Sequence, residues 1–324
     1  YHSYEEINAW LDDLARNYPD LTSVSLISIG KSYEGRPIKV LKIKPAVFID
    51  AGIHAREWIA PATALYLINQ LLTNETEYSK DPDDEGSVTK LLDKLDWYIV
   101  PVMNPDGYEY THTSTDRLWR KNRSPNGASG SQGTWYNCYG VDLNRNFDFH
   151  NWGEIGGSSS LPCSETYAGS SPFSEWEPET KALLDFILSN EIGKGRIKAY
   201  ISLHSYSQLL LYPYGYTNAT VPPNGEDLHK EVAKAAAKAI GDYYFGGTLY
   251  TPGSSSADPD LDITLYPASG GSDDWAYGTL KGVKYSYTIE LRDTGDDAGR
   301  YGFLLPPSCV KPVRMEQIIP TGEE

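Results

Sequence analysis

The chain has 324 residues, of which 28 are Lys or Arg and 44 are Asp or Glu, so its formal net charge is −16 at pH 7. This charge repels phosphate backbones and anionic membrane surfaces, which excludes nucleic acid and membranes as expected partners. No apolar run approaches the roughly 18 to 20 residues that cross a bilayer. An α/β chain of this length commonly forms one domain, and we expect that domain to span residues 1–324.

The predicted elements alternate between helices and short apolar strands. Residues 5–18 have an apolar helical face, with Ser3 as the expected N-cap. Strands are predicted at 24–29, 37–43, 46–49, 97–102, 197–203 and 284–291, and further helices at 58–72, 178–190 and 226–241. This order predicts an α/β fold with a central mixed, largely parallel β-sheet flanked by helices on both faces. Residues 104–167 form a long, turn-rich excursion, which in a compact domain is usually functional.

A strand-to-helix junction carries the first candidate site. His54 and Glu57 follow the strand at 46–49, and ligands of open α/β sheets bind outside the carboxyl ends of strands. Zinc binds imidazole nitrogen and carboxylate oxygen, and a catalytic zinc has three protein ligands. His204, directly after the predicted strand at 197–203, is the natural third ligand. Taken separately, a His-x-x-Glu pair is more typical of a solvated ion pair, and a lone histidine at a strand end is usually structural.

Further motifs accompany this pattern. His54-x-x-Glu57 and the distant His204-Ser205-Tyr206 are joined by Asp-Arg-Leu-Trp-Arg-Lys at 116–121, Val-Asp-Leu-Asn-Arg-Asn at 141–146, Cys-Ser-Glu-Thr-Tyr at 163–167, Gly-Gly-Ser-Asp-Asp-Trp at 270–275 and Glu-Leu-Arg-Asp-Thr-Gly at 290–295. In this order they resemble the zinc-dependent metallocarboxypeptidases of the pancreatic A/B type. The similarity extends from about Tyr4 to Pro306.

The resemblance implies one Zn²⁺ per chain, held by His54, Glu57 and His204. Zinc in such a site lowers the pKa of its bound water to about 7 and polarises the scissile carbonyl. Asp142 corresponds to a carboxylate that orients a zinc-bound imidazole, here that of His54.

The resemblance also assigns the groups that act on the substrate. Glu290 corresponds to the general base, which takes a proton from water and returns it to the leaving amine. Arg120 corresponds to the guanidinium that stabilises the tetrahedral oxyanion. Asn144 and Arg145 correspond to the pair that binds the terminal carboxylate, a role suited to a planar guanidinium. Tyr266 corresponds to the mobile tyrosine that closes over the substrate.

Asp273 indicates which C-terminal residues the enzyme is expected to remove. Family members that remove Lys or Arg carry an acid at this position, whereas those that remove large apolar residues carry an apolar side chain. Arg56 and Arg117 flank the site and are expected to contact the peptide upstream, with surface arginines of no special role as the equal alternative. We therefore expect a zinc-dependent exopeptidase that releases single C-terminal Lys or Arg residues.

Two rival hypotheses remain open. The closer rival is the same enzyme with a preference for neutral or aromatic C-terminal residues. The more distant rival is an acidic binding module, for glycans for example, because 25 Tyr and 8 Trp offer stacking surfaces. That module makes no use of the three metal-ligand candidates or of Glu290.

The cysteines bear on localisation. Cys138 and Cys163 bracket a Gly/Ser-rich stretch that a disulfide would restrain, with two unrelated buried thiols as the alternative. The resemblance favours the disulfide and leaves Cys309 without an assigned partner. No basic-then-apolar signal segment opens the chain, so it is either cytosolic or a processed form, and the cysteines favour the latter. We expect a secreted monomer released from a zymogen, with peptides and proteinaceous carboxypeptidase inhibitors as partners.

Overall fold

Short runs rich in β-branched and aromatic residues form the central sheet. The computed structural model describes residues 1–17, 24–43, 46–73, 95–125, 138–150, 152, 157–173, 177–189, 195–217, 225–243, 250–254, 267–294 and 301–307. The strands within these ranges are β1 (Val24–Lys31), β2 (Pro37–Ile43), β3 (Ala46–Ala51), β4 (Asp96–Val100), β5 (Ala199–Ser205), β6 (Leu209–Tyr212), β7 (Thr251–Ser254) and β8 (Tyr285–Leu291). They form one sheet in the order β1-β2-β4-β3-β5-β8-β6-β7.

The centre of the sheet is parallel and its flanks are mixed. Strands β4, β3, β5 and β8 run parallel to one another, whereas β2 is antiparallel to β1 and β4, and β6 is antiparallel to β8 and parallel to β7. Parallel strands are buried on both faces, which is why β3 and β4 are almost continuously apolar. The predicted mixed, largely parallel sheet is confirmed.

Helices cover both faces of the sheet, as predicted. The α-helices of the described ranges are α1 (Tyr4–Asn17), α2 (Ile59–Thr73), α3 (Pro105–His112), α4 (Pro178–Leu188), α5 (Gly225–Tyr243) and α6 (Ser272–Thr279). Alternate strand residues point to opposite faces. Val47 and Ile49 join the core beneath α1, α2 and α5, while Phe48 joins the core beneath α4 and α6. None of the helices described is long and apolar enough to cross a membrane.

The structure differs from the sequence prediction in several elements. Helix α3 lies within the excursion predicted to be turn-rich, because the Asn104 side chain accepts a hydrogen bond from the Gly107 amide at 3.0 Å and Tyr108 packs into the core. Strands β6 and β7 and helix α6 were not predicted. Strand β5 begins at Ala199 and ends at Ser205, so His204 lies inside the strand and not after it. Its pairing with β3 and β8 sets these bounds.

Candidate metal centre and substrate pocket

The three metal-ligand candidates and Glu290 lie at or just beyond the carboxyl ends of β3, β5 and β8. His204 on β5 pairs in register with Glu290 on β8, and β3 leads into the turn that carries His54 and Glu57. Gly52 makes this turn with φ +66°, and a Cβ there would lie 2.9 Å from the Pro61 ring. Only glycine adopts such a backbone without strain, so the residue type fixes the direction in which the chain leaves β3.

Three buried side chains converge at this edge. Nδ1 of His54 lies 2.8 Å from Oε1 of Glu57, and Nδ1 of His204 lies 3.1 Å from Oε2 of the same carboxylate. The two Nδ1 atoms are 3.1 Å apart. All three residues are buried, and their ligand atoms form a group that could hold a metal ion. The structure thus brings the three ligand candidates together.

The donor set fits zinc. Imidazole nitrogen and carboxylate oxygen are zinc ligands, and tetrahedral ligands at about 2.0 to 2.1 Å from the metal lie about 3.3 Å from each other. The observed separations are close to this value. Burial alone would raise the pKa of Glu57, but the rings of His54 and His204 hold it below its usual range. Burial would likewise lower the pKa of His204, yet Glu57 raises it to about 9, so the carboxylate and the imidazole stabilise each other's charged forms.

The far side of each ring is also hydrogen-bonded. Nε2 of His54 lies 3.0 Å from Oδ1 of Asp142, the partner that the resemblance implied. Nε2 of His204 lies 3.0 Å from the Ser202 hydroxyl. Ser202 was not predicted from the sequence. Its position two residues before His204 on a strand, and therefore on the same face, is the signal that would have found it.

Arg120 lies beside the cluster. Its Nε and Nη2 atoms both lie 2.9 Å from Oδ2 of Asp142, and Nη1 is 3.9 Å from Oε1 of Glu57. Burial opposes ionisation of Asp142, but Arg120 and then His54 hold the pKa of Asp142 well below its usual range. The guanidinium is therefore held in a fixed orientation by a carboxylate that stays charged at neutral pH.

A cavity of about 450 Å³ opens next to the three ligand candidates. This size suits a small ligand or an amino-acid side chain. Its walls include eight predicted site residues together with Ser205, Tyr206 and Phe303; the eight are His54, Glu57, Arg120, Asn144, Arg145, His204, Asp273 and Glu290. Burial raises the pKa of Glu290 to about 7, although the nearby His204 opposes this shift. A carboxyl group with such a pKa can exchange a proton near neutral pH.

Asn144 and Arg145 lie in a short 3₁₀ turn at Leu143–Arg145. The Asn144 side-chain oxygen accepts a hydrogen bond from the Ser272 amide at 2.9 Å, and Arg145 donates from Nε to the Gly157 carbonyl at 2.9 Å. A Cβ on Gly270 would lie 2.2 Å from the Arg145 carbonyl oxygen. The absence of a side chain at this glycine lets the two loops approach, which aligns the turn with α6.

Asp273 lies in the first turn of α6, where the helix dipole favours a negative charge. It is 5% exposed, lines the cavity, and its backbone carbonyl accepts a hydrogen bond from the Ser286 hydroxyl at 2.8 Å. The neighbouring Asp274 points elsewhere: its carboxyl group accepts hydrogen bonds from the Gly215 and Tyr216 amides. Burial and the proximity of Asp273 raise the pKa of Asp274 well above its usual value.

Arg56 and Arg117 lie at the rim and are absent from the cavity lining. The Arg117 guanidinium stacks on Trp58 and donates hydrogen bonds to the carbonyls of Arg56 and Phe303, both at 2.9 Å. The Arg56 guanidinium lies 4.3 Å from the centre of the Phe303 ring and binds Glu165 at 3.1 Å. Both arginines therefore support the segment that brings Phe303 to the cavity, and their contact with a peptide stays a prediction.

Two further predictions concern the cysteines and Tyr266. Cys138 and Cys163 form a disulfide, with their Cα atoms 4.8 Å apart, as expected. Tyr266 and Cys309 lie outside the described residues. The role of Tyr266 as a mobile lid thus remains a prediction.

Comparison with known proteins agrees with this geometry. Carboxypeptidase B of Astacus astacus is 48% identical, covering 100% of this chain and 93% of that relative. Carboxypeptidase A1 of Bos taurus is 46% identical, covering 100% of this chain and 67% of that relative. The solved structure of bovine thrombin-activatable fibrinolysis inhibitor in complex with tick carboxypeptidase inhibitor has a TM-score of 0.79 and 43% identity, covering 98% of this chain and 94% of that one. The zinc carboxypeptidase family profile matches residues 7–324, and the chain therefore belongs to this family of hydrolases that act on peptide bonds.

Proposed function

We propose that the chain is a zinc-dependent exopeptidase that hydrolyses the C-terminal peptide bond and releases single Lys or Arg residues. The observation that carries this proposal is the position of Asp273, a buried acid in the wall of the cavity that adjoins the His54, Glu57 and His204 cluster. One Zn²⁺ held by these three residues would supply a Lewis acid for the scissile carbonyl.

Glu290 and Arg120 carry the chemical step. The Glu290 carboxylate accepts a proton from the attacking water and returns it to the leaving amine, a role supported by its place in the cavity wall and its raised pKa. Arg120 faces the negative charge that grows on the carbonyl oxygen. Because Asp142 already fixes the guanidinium, little reorganisation is needed in the transition state.

Substrate binding depends on a free terminus. The amide of Asn144 and the guanidinium of Arg145 bind the terminal carboxylate, and Tyr266 closes over the bound residue. Arg56 and Arg117 contact the peptide upstream of the scissile bond. Asp142 completes the site by holding His54.

Asp273 selects the side chain of the terminal residue. A cationic Lys or Arg pairs with the buried carboxylate, whereas Phe or Leu would leave that charge without a partner. The relatives do not decide this preference, because one is named carboxypeptidase B and another, almost equally similar, carboxypeptidase A1. A preference for neutral or aromatic residues is therefore the second candidate.

The Cys138–Cys163 disulfide supports a secreted protein, since disulfides persist in oxidising compartments. We also propose that the catalytic domain acts as a monomer and that proteinaceous inhibitors bind it. The solved relative in complex with tick carboxypeptidase inhibitor supports the latter.

Hydrolysis of peptides that differ only in their last residue tests the function. We expect release of C-terminal Lys and Arg to exceed release of Phe and Leu, and an amidated C-terminus to block release. Chelation should abolish activity, and added zinc should restore it with about one zinc per chain. Full activity of a metal-free chain, or equal cleavage of amidated peptides, would contradict the proposal.

A further inference from the structure

A buried chain of polar groups leads from the sheet to His204. Ser202 lies two residues before His204 on β5, so both side chains project from the same face. Asp50, at the carboxyl end of β3, is the register partner of Ser202. The Ser202 hydroxyl lies 2.9 Å from Oδ1 of Asp50 and 3.0 Å from Nε2 of His204. All three residues are at most 1% exposed.

The direction of these hydrogen bonds follows from the chemistry of the groups. A carboxylate only accepts, so the single Ser202 proton is donated to Asp50. The Ser202 oxygen must then accept from His204, which places a proton on Nε2 of that ring. Nδ1, the other nitrogen, faces the Glu57 carboxylate at 3.1 Å. The chain of bonds therefore selects the tautomer in which Nδ1 is available to a metal ion.

A carboxylate also orients the ring of His54, but by a different kind of contact. Asp142 contacts His54 directly, whereas Asp50 reaches His204 through a serine hydroxyl. Burying a carboxylate destabilises a fold unless its hydrogen bonds are made, so a hydrophobic residue would suit this position in β3 better if only packing mattered. We propose that Asp50 and Ser202 are positioning residues that hold the His204 ring with Nδ1 directed at the His54–Glu57–His204 cluster. This inference rests on the proposed zinc function.

The test measures zinc affinity of the full chain by competition with a chelator of known affinity. Ser202→Ala should weaken zinc binding about 10- to 100-fold, as is typical when the partner of a metal-bound histidine is removed. Ser202→Thr keeps the hydroxyl and should stay within about threefold of the wild type. Asp50→Asn keeps the shape but removes the charge, and should weaken zinc binding by about tenfold.

A matched control removes the same kind of bond elsewhere. The Ser32 hydroxyl donates to Oδ1 of buried Asp106 at 2.6 Å, and neither residue lines the cavity. Ser32→Ala should lower the free energy of unfolding and leave zinc affinity unchanged. This separates a general loss of stability from a specific loss of metal binding.

The zinc affinities of the variants support or overturn the inference. A folded Ser202→Ala variant with zinc affinity within about threefold of the wild type would overturn the inference. Should Ser202→Ala fail to fold, Asp50→Asn is decisive: unchanged zinc affinity overturns the inference and weakened affinity supports it. Absence of zinc binding by the wild-type chain would instead reject the proposed function, and the inference with it.

Discussion

The Asp142 carboxylate lies 3.0 Å from Nε2 of His54, and this contact sets which ring nitrogen faces Glu57. The same buried carboxylate accepts a hydrogen bond from Arg120 and another from the backbone N–H of Asn144. One acid thus couples a metal-ligand candidate to the residues assigned to the oxyanion and to the terminal carboxylate.

Replacing Asp142 should therefore disturb metal binding and catalysis together. Asp142→Asn keeps the shape but removes the charge that pairs with Arg120 and orients His54. We expect zinc affinity and kcat/KM each to fall about 10- to 100-fold. Asp148→Asn, an exposed acid in the same segment, is the control and should change neither. Normal zinc affinity in Asp142→Asn would show that His54 is held by other contacts.

Glu290→Gln should affect the chemical step and little else. The amide fills the same space but cannot accept the proton, so we expect kcat to fall about 10²- to 10⁴-fold with KM nearly unchanged. Single-turnover kinetics and zinc content provide the measurement. A variant that keeps its kcat and only raises KM would rule out the assigned role as base.

Arg120→Ala removes the cation that we propose faces the developing oxyanion. Loss of one such donor costs about 3 kcal/mol in the transition state, or roughly 10²-fold in kcat. Arg120→Lys keeps a positive charge but loses the two-pronged contact with Asp142, so it should recover part of this loss. Equal activity of the Ala and Lys variants would indicate that charge at this position does not stabilise the transition state.

Glu179 predicts a pH effect on stability away from the cavity. It is fully buried in α4, and burial raises its pKa from 4.5 to about 7, although Asn122 and the Tyr33 amide donate hydrogen bonds to it. Between these two pKa values the folded state binds more protons than the unfolded state. The free energy of unfolding contributed by this group therefore falls as pH rises through this window.

Denaturant unfolding of wild type and Glu179→Gln at about pH 5 and pH 8 tests this effect. Relative to the variant, the wild type should lose about 2 to 3 kcal/mol between the two pH values. Asp185→Asn, on the exposed side of the same helix, should show no such difference. A constant gap between wild type and Glu179→Gln would mean that Glu179 does not titrate differently in the two states.

The fold was predictable where sequence patterns are long and regular. The apolar run of β3 and the helical spacing of α2 each indicate their own structure, and both were predicted. Helix α3 has no helical periodicity and contains Gly107, so its propensity is poor. It forms because two contributions compensate: the Asn104 cap, which is a local interaction, and the burial of Tyr108, a tertiary contact that local patterns do not report.

The residues of the candidate site also differ in how well the sequence predicts them. The spacing of His54 and Glu57 after a strand was only a weak signal for a metal site, and the resemblance to the family assigned all three ligands. The roles of Asp142 and Asp273 came from the resemblance, because a single acid in a loop carries no local signal. Asp50 and Ser202 were missed, since their pairing depends on the register between β3 and β5, which long-range contacts determine.

The proposed preference for basic C-terminal residues depends on Asp273. Truncating one partner of a buried charge pair costs roughly 2 to 5 kcal/mol, so Asp273→Asn should lower kcat/KM for C-terminal Arg by about 30-fold or more. Cleavage of C-terminal Phe should be preserved or improved, because the unpaired acid is gone. Asp274→Asn is the matched control: its carboxyl group faces the Gly215 and Tyr216 amides, so its loss should not change the preference.

The most direct measurement is the ratio of kcat/KM for peptides ending in Arg and in Phe, in the wild type and in Asp273→Asn. We predict a ratio well above one in the wild type and a fall of about 30-fold or more in the variant. A ratio that stays constant while both rates fall together would contradict the assignment, because Asp273 would then be a structural residue and the preference for Lys and Arg would lose its physical basis.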